Sequence, residues 1–198
     1  QDLLDILARC AKENIKIPLD LGLFMVMETL KGLNFAHNAS DPYGNPLNIS
    51  HRDVTPSNVM ISYGGDVKIG DFGVAQAARE KKVDPNDGPL KGKVEYMSPE
   101  QVTGNGVDAR NDIFSAGIVL FEVLTQSRLF VSNSDLEVMM KVRDAEVDKR
   151  FEESSDIPPS LEKIARKALA KEPEDRFETA SEFYQALVDF CYRHDIHI

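Results

Sequence analysis

The stretch SHRDVTPSN, Ser50–Asn58, decides how the rest of the chain is read. It places Asp53 in a short polar loop and Asn58 five residues further on. Two apolar runs follow, Val59-Met60-Ile61 and Val67-Lys68-Ile69, separated by SYGGD. Short apolar runs around a Gly-rich turn predict a β-hairpin. Asp71-Phe72-Gly73 comes directly after the second run. A hairpin returns the chain to its starting point, so Asn58 and Asp71 are expected side by side.

Outward from the hairpin the chain reads as helix. Asp2 to Lys12 predicts one short helix. Pro18 suits the first position of a second, because its fixed φ is helical and its missing N–H costs nothing there. That second helix, Leu19 to about His37, is apolar on most sides, the pattern of a buried helix. DPYGNPLN, Asp41–Asn48, predicts a surface turn. Val74 to Gly92 is polar and rich in charge, Pro and Gly, and predicts a long exposed loop. Asp112 to Leu124 is nearly all apolar and predicts a central helix. Ser134-x-x-Glu137 and Thr179-x-x-Glu182 each match a capping box. Leu161, Ile164, Ala165, Ala168 and Leu169 form a helical stripe.

The bulk numbers exclude several classes. At 198 residues, 42% hydrophobic and 28% charged, the chain is long enough for one domain with a sizeable core. A net charge of −10 leaves no general basic footprint for nucleic acid. Cys10 and Cys191 are the only cysteines, too few for a disulfide framework and suited to a reducing cytoplasm. The longest apolar run, Leu21 to Met27, is too short to span a bilayer. Nothing near Gln1 reads as a signal peptide. His194 and His197 read as part of a frayed tail.

Three motifs occur in order: His51-Arg52-Asp53 with Asn58, Asp71-Phe72-Gly73, and Ser98-Pro99-Glu100. Each alone is weak; together, at these spacings and with a hairpin between the first two, they are specific. On these residues the chain resembles the eukaryotic-like (Hanks-type) protein serine/threonine kinases, whose signature reads H-R-D-L-x-x-x-N, D-F-G and A-P-E. DPYGNPLN and YMSPEQ resemble the bacterial members. The resemblance runs end to end, but only over the C-terminal lobe. It implies a mainly α fold with a small β-hairpin, the large lobe of the kinase-like α+β architecture, with residues 50–58 as catalytic loop and 71–100 as activation segment.

By this resemblance Asp53 is the catalytic base for a protein hydroxyl. Asn58 and Asp71 are the Mg²⁺ ligands and touch ATP, and Met60 is the apolar position under adenine. An amide oxygen and a carboxylate are hard donors that suit Mg²⁺ beside phosphate. Phosphoryl transfer mostly needs positioning and charge neutralisation, so few residues suffice. Asp112 matches the acid that holds the catalytic-loop backbone. Glu100 and Arg176 match a buried ion pair, and His51 and Phe72 a packed column. The ending P-S-N resembles the serine/threonine class. The rival reading, a pseudokinase or docking module, would go with loss of Asp53, Asn58 or Asp71, and all three are present.

The chain departs from the family pattern at two points. Thr55 stands where a lysine is usual, and Lys93 stands where a threonine is usual. The expectation is an exchange: Lys93 supplies the ammonium near the transferred group and Thr55 the hydroxyl that bonds Asp53. Between Val74 and Met97 there is no Ser or Thr, so Asp84 or Asp87 is expected to partner Arg52 where other members use a phosphate. The N-terminal lobe, with its glycine-rich loop and strand lysine, has no counterpart in these residues. The chain alone is therefore expected to be inactive. The partners expected are a protein substrate and the missing lobe, and the exposed apolar face between the lobes invites self-association. The expected location is cytoplasmic.

Overall fold

The computed structural model describes residues 1–72, 94–106, 108–154 and 156–198. Its helices are α1 (Leu3–Glu13), α2 (Leu19–His37), α3 (Pro99–Thr103), α4 (Arg110–Thr125), α5 (Asp135–Arg143), α6 (Asp148–Glu152), α7 (Pro159–Ala168) and α8 (Ala180–Arg193). Strands β1 (Val59–Ile61) and β2 (Val67–Ile69) pair antiparallel, Val59 opposite Ile69 and Ile61 opposite Val67. This is the mainly α arrangement with one small hairpin that the sequence predicts.

Local chemistry sets the helix ends. Asp2 caps α1 by accepting from the Asp5 N–H at 2.8 Å. Pro18 precedes α2 with extended backbone, one position earlier than expected. The Asp108 carboxylate accepts the Arg110 N–H at 2.8 Å where α4 starts. Gln126 ends α4 in the left-handed region, its N–H on the Glu122 carbonyl at 2.7 Å. The Gln126 side chain then donates to the Ile15 carbonyl at 2.7 Å, tying the α1–α2 connection to the end of α4.

The two predicted capping boxes form only in part. Ser134 precedes α5 but makes no side-chain cap bond, and the Glu137 carboxylate accepts from the Ser132 hydroxyl rather than reaching back to Ser134. Thr179 does cap α8, accepting from the Glu182 N–H at 3.1 Å, while Glu182 reaches back one residue further, to the Glu178 N–H. A complete reciprocal box forms at Ser98 and Gln101, inside the Ser98-Pro99-Glu100 motif.

Helix α4 runs through the centre, with α2 and α7 against it and α8 against both α2 and α7. Ile113, Phe114, Ile118, Leu120 and Phe121 on α4 are fully buried. Helix α2 buries Leu23, Val26, Leu30 and Leu33 against this core. It is not buried all round as its composition suggests: Leu21 is half exposed and Phe35 is 81% exposed. The stripe on α7 packs inward through Leu161, Ala165 and Ala168.

The hairpin lies on α2, and one glycine sets how closely. A Cβ built at Gly32 would stand 2.8 Å from Ile69 Cγ2 on β2. Ile69 is β-branched and stiff at χ1, so it cannot swing aside cheaply. Helix propensity favours Gly32→Ala by about 1 kcal/mol, whereas forcing extra volume into a packed contact costs about 1–3 kcal/mol. Gly32→Ala is therefore expected to lower the urea midpoint without changing the m-value. A midpoint raised above wild type would show that α2 and β2 are not in tight contact.

Candidate active site

The loop from Ser50 to Asn58 carries no regular structure before the 3₁₀ turn Pro56–Asn58. Its shape is imposed by Asp112, a fully buried carboxylate at the start of α4. One oxygen accepts the His51 N–H at 2.7 Å, the other the Arg52 N–H at 2.7 Å. The Ser50 hydroxyl donates to the same carboxylate at 3.0 Å, and the Asn111 amide at 3.1 Å. His37 Nε2, from the end of α2, lies 2.8 Å away. These donors compensate a charge that would be costly to bury alone. They also hold Arg52 at φ +63°, a left-handed conformation an arginine seldom takes.

His51 joins the loop to the far side of the hairpin. Its Nε2 donates to the Gly70 carbonyl at 2.7 Å, and its Nδ1 accepts the Asp53 N–H at 3.3 Å. These two bonds fix one neutral tautomer. The ring meets Phe72 edge-on, centroids 4.5 Å apart. Phe72 is 37% exposed, so the expected column of His51 and Phe72 exists with one side open.

Asn58 is the junction of the site. Its Nδ2 donates to the Asp53 carbonyl at 2.7 Å and to Asp53 Oδ2 at 3.2 Å. Its own carbonyl accepts the Gly70 N–H at 2.8 Å. Asp71 follows immediately, exposed and in the left-handed region at φ +60°. The structure thus brings Asp53, Asn58 and the residue before Asp71 into one bonded unit. Met60 stands on the outer face of β1, 47% exposed. The buried Thr55 hydroxyl lies 2.8 Å from Ser57 Oγ. Lys93, Asp84 and Asp87 lie outside the described residues, and Arg52 Nε has no hydrogen-bond partner among the described ones.

The Ser98-Pro99-Glu100 end is held from across the molecule. Arg176 meets Glu100 in a two-bond fork, both N···O distances 2.8 Å. Arg176 also donates to the carbonyls of Ala170, Arg110 and Lys171 and lies over the Phe114 ring. Sequence reasoning missed Gln101. Its side chain accepts the Ser98 N–H at 3.0 Å and donates to the Arg52 carbonyl at 3.2 Å, bridging the third motif to the first. The S-x-x-Q spacing of a capping box was its only signal.

A protein kinase domain family profile matches residues 2–187, and the chain belongs to that family. Members generally use ATP and Mg²⁺ and act on proteins. The tyrosine-protein kinase MasK of Myxococcus xanthus is 42% identical over 90% of this chain and 27% of its own length. The serine/threonine-protein kinase PknB of Mycobacterium leprae is 35% identical over 87% of this chain and 26% of its own. A probable serine/threonine-protein kinase of Clostridium acetobutylicum is 34% identical over 91% and 26%. The chain spans about a quarter of the length of these relatives. Among the described residues, no helix is long and apolar enough to cross a membrane.

Burial alone would raise the Glu100 pKa, but the Arg176 hydrogen bonds and charge outweigh it and hold the carboxyl below its usual value. A depressed carboxylate adds stability that is present above its unfolded pKa and is lost as pH falls through the folded value. Wild type is therefore expected to lose stability more steeply than Glu100→Gln as pH drops below the ordinary glutamate range. Arg176→Ala, which strands a buried carboxylate, is expected to cost about 3–5 kcal/mol in chemical denaturation. A loss under 1 kcal/mol would mean that the pair does not hold this end of the site.

Proposed function

We propose that this chain is the catalytic-loop and substrate-binding lobe of a protein kinase that transfers the γ-phosphoryl group of ATP to serine or threonine hydroxyls. The observation that carries the reading is the Asn58 junction, one side chain bonded to Asp53 whose backbone pairs with Gly70, next to Asp71. In this reading Asp53 orients the substrate hydroxyl and accepts its proton as the oxygen attacks phosphorus. Asn58 and Asp71 offer two hard oxygens on neighbouring strands of chain, a donor set that fits Mg²⁺, which neutralises phosphate charge when bound. Met60 presents an exposed apolar side chain to the adenine. The His51 bonds and the Asp112 carboxylate hold the loop rigid, so that little reorganisation is needed during transfer.

The serine/threonine assignment is supported by the loop ending P-S-N and by the names of the mycobacterial and clostridial relatives. MasK, named a tyrosine-protein kinase, makes this a point for direct test. The N-terminal lobe is proposed as the partner for an apolar groove of about 570 Å³ lined by Gly32, Phe35, Ile49, Val67, Ile69 and Phe72. Without a partner there, this groove also favours self-association, and the chain by itself is inactive. The proposed setting is the cytoplasm, with ATP and reduced thiols.

The test uses a protein that carries both lobes. Asp53→Asn is expected to lower kcat by about 10²–10⁴-fold with little change in KM for ATP. Full kcat in Asp53→Asn would remove Asp53 as the base, and no transfer by the wild type would instead favour a docking role. Phosphoamino-acid analysis of the product is expected to give phosphoserine or phosphothreonine, and phosphotyrosine alone would reverse the assignment.

The exchange of Thr55 and Lys93 belongs to the same proposal. An ammonium on a flexible stem can reach one place from two attachment points. Lys93→Ala is expected to lower kcat by at least about 10-fold, and Thr55→Lys/Lys93→Thr to recover much of it, since the pair moves together. Lys93→Ala at nearly full kcat would leave Thr55 a neutral substitution.

A further inference from the structure

We infer that Tyr96, Glu122 and Arg128 form a proton-sensitive latch that fixes the chain immediately before the Ser98-Pro99-Glu100 motif. The inference goes beyond the proposed function and does not depend on phosphoryl transfer.

The cluster is built from three elements. Tyr96 ends the 3₁₀ turn Val94–Tyr96, two residues before Ser98. Glu122 lies in the last turn of α4 and is buried. Arg128 lies in the segment that follows α4. The Tyr96 hydroxyl donates to Glu122 Oε2 at 2.8 Å, and the Leu129 N–H points at Glu122 Oε1 from 3.4 Å. The Arg128 guanidinium donates to the Tyr96 oxygen and to Glu95 Oε1, the latter at 2.8 Å, and lies over the Tyr96 ring. Arg128 is itself seated from behind, because Arg150 donates to its carbonyl at 2.6 Å. A small cavity of about 180 Å³ beside the cluster is closed by Leu4, Leu7, Ala8 and Ala11 of α1, a wall with no ionisable group.

Two properties make this more than a static anchor. First, the hydrogen bonds run one way, from Arg128 to the Tyr96 oxygen and from the Tyr96 hydroxyl to Glu122. With Glu122 ionised both of its oxygens accept, Oε2 from Tyr96 and Oε1 facing the Leu129 N–H, and the Tyr96 bond is charge-assisted. A neutral acid keeps one acceptor at most and a weaker bond. A protonated Glu122 brings a hydrogen of its own. If it donated to Tyr96, the phenol hydrogen would lose its acceptor. Second, two carboxylates, Glu95 and Glu122, share one guanidinium in a poorly solvated place. Such a site ionises reluctantly. Burial pushes the Glu122 carboxyl up to about 7, with Tyr96 and Arg128 pulling against it. Burial also raises Glu95, again against Arg128. Burial, and then the Glu122 charge, drive the phenol far up, so Tyr96 remains a donor throughout.

The consequence has two signs. Global stability gains from protonation, because the folded state binds the Glu122 proton more tightly than the unfolded chain does. That gain is complete below the unfolded glutamate pKa and is lost as pH rises through about 7. The latch works the other way, because its opening takes away Tyr96 and Arg128, which hold the Glu122 pKa down, while the carboxyl stays buried. The opened form then binds the proton more tightly, and the latch loosens as the proton arrives. A residue that only fills space would move neither quantity with pH.

The experiment is native-state hydrogen exchange on Glu95, Tyr96 and Met97 amides between pH 5.5 and 8.5, corrected for intrinsic rates, together with ¹³C NMR titration of the glutamate carboxyls. In the wild type, protection at Tyr96 and Met97 is expected to rise several-fold through a midpoint near 7, with Glu122 titrating at the same midpoint. Glu122→Gln is expected to remove the step. Tyr96→Phe, which keeps the ring and the fold, is expected to remove it as well, leaving Glu122 still titrating. Protection independent of pH in the wild type, a Glu122 midpoint below 5.5, or an undiminished step in Glu122→Gln or Tyr96→Phe would each overturn the latch. Should Glu122→Gln fail to fold, the wild-type titration and Tyr96→Phe decide alone.

Discussion

One buried carboxylate organises the rest. Asp112 sits where α4 meets the core, with no exposure to solvent, and accepts from two consecutive backbone N–H groups of a loop that has no other regular hydrogen-bond ladder. A lone charge in that position would be untenable. Five donors make it tenable, and in return they define the loop. The left-handed Arg52, the orientation of His51 and so the bond from His51 to Gly70 all follow from that one anchor. Helix α4 is therefore both the centre of the core and the template of the site. The same helix carries apolar residues for α2 and α7, Asp112 for the loop and Glu122 for the segment before Ser98.

Beside this rigid base stands a second support of a different kind. Glu100 and Arg176 are 76 residues apart and meet in a fork with both partners nearly dry. Planar, two-bond recognition fixes direction as well as distance. Gln101 then links that end to the loop through the Arg52 carbonyl. The three motifs are short in sequence, yet each is held by a residue far from it: Asp112 for the first, the His51–Gly70 bond for the second, Arg176 for the third.

Much of this was legible in the sequence because it is local. The hairpin runs over the residues expected, since its apolar runs and its Gly-rich turn are adjacent. Helices α1, α2, α4 and α7 follow their apolar spacing. The pairing of Glu100 with Arg176 and the role of Asp112 came from resemblance to a family. Spacing alone cannot join residues 60 or 76 positions apart. What the sequence hid was decided by competition between neighbours. Glu137 had Ser132 as well as Ser134 within reach, and chose the former. Glu182 had the N–H of Glu178 as well as that of Thr179. Phe35 looked like core because its helix is apolar on most sides, but it faces outward onto the groove beside the hairpin. The cluster of Tyr96, Glu122 and Arg128 gave no pattern at all, because it joins a turn, a helix and a connecting segment.

The distance between Asp112 and the loop it shapes has a consequence in time. The chain leaves the ribosome N-terminus first, at roughly 5–20 residues per second, so the loop is exposed for roughly 3–12 s before residue 112 follows it. During that interval His51 and Arg52 lack the acceptor that holds them 61 and 60 positions downstream. Closing so long a loop costs entropy before any contact rewards it. The site is therefore assembled late, in one step with the docking of α4. A nascent or partly unfolded chain carries every residue of the machinery and none of its geometry.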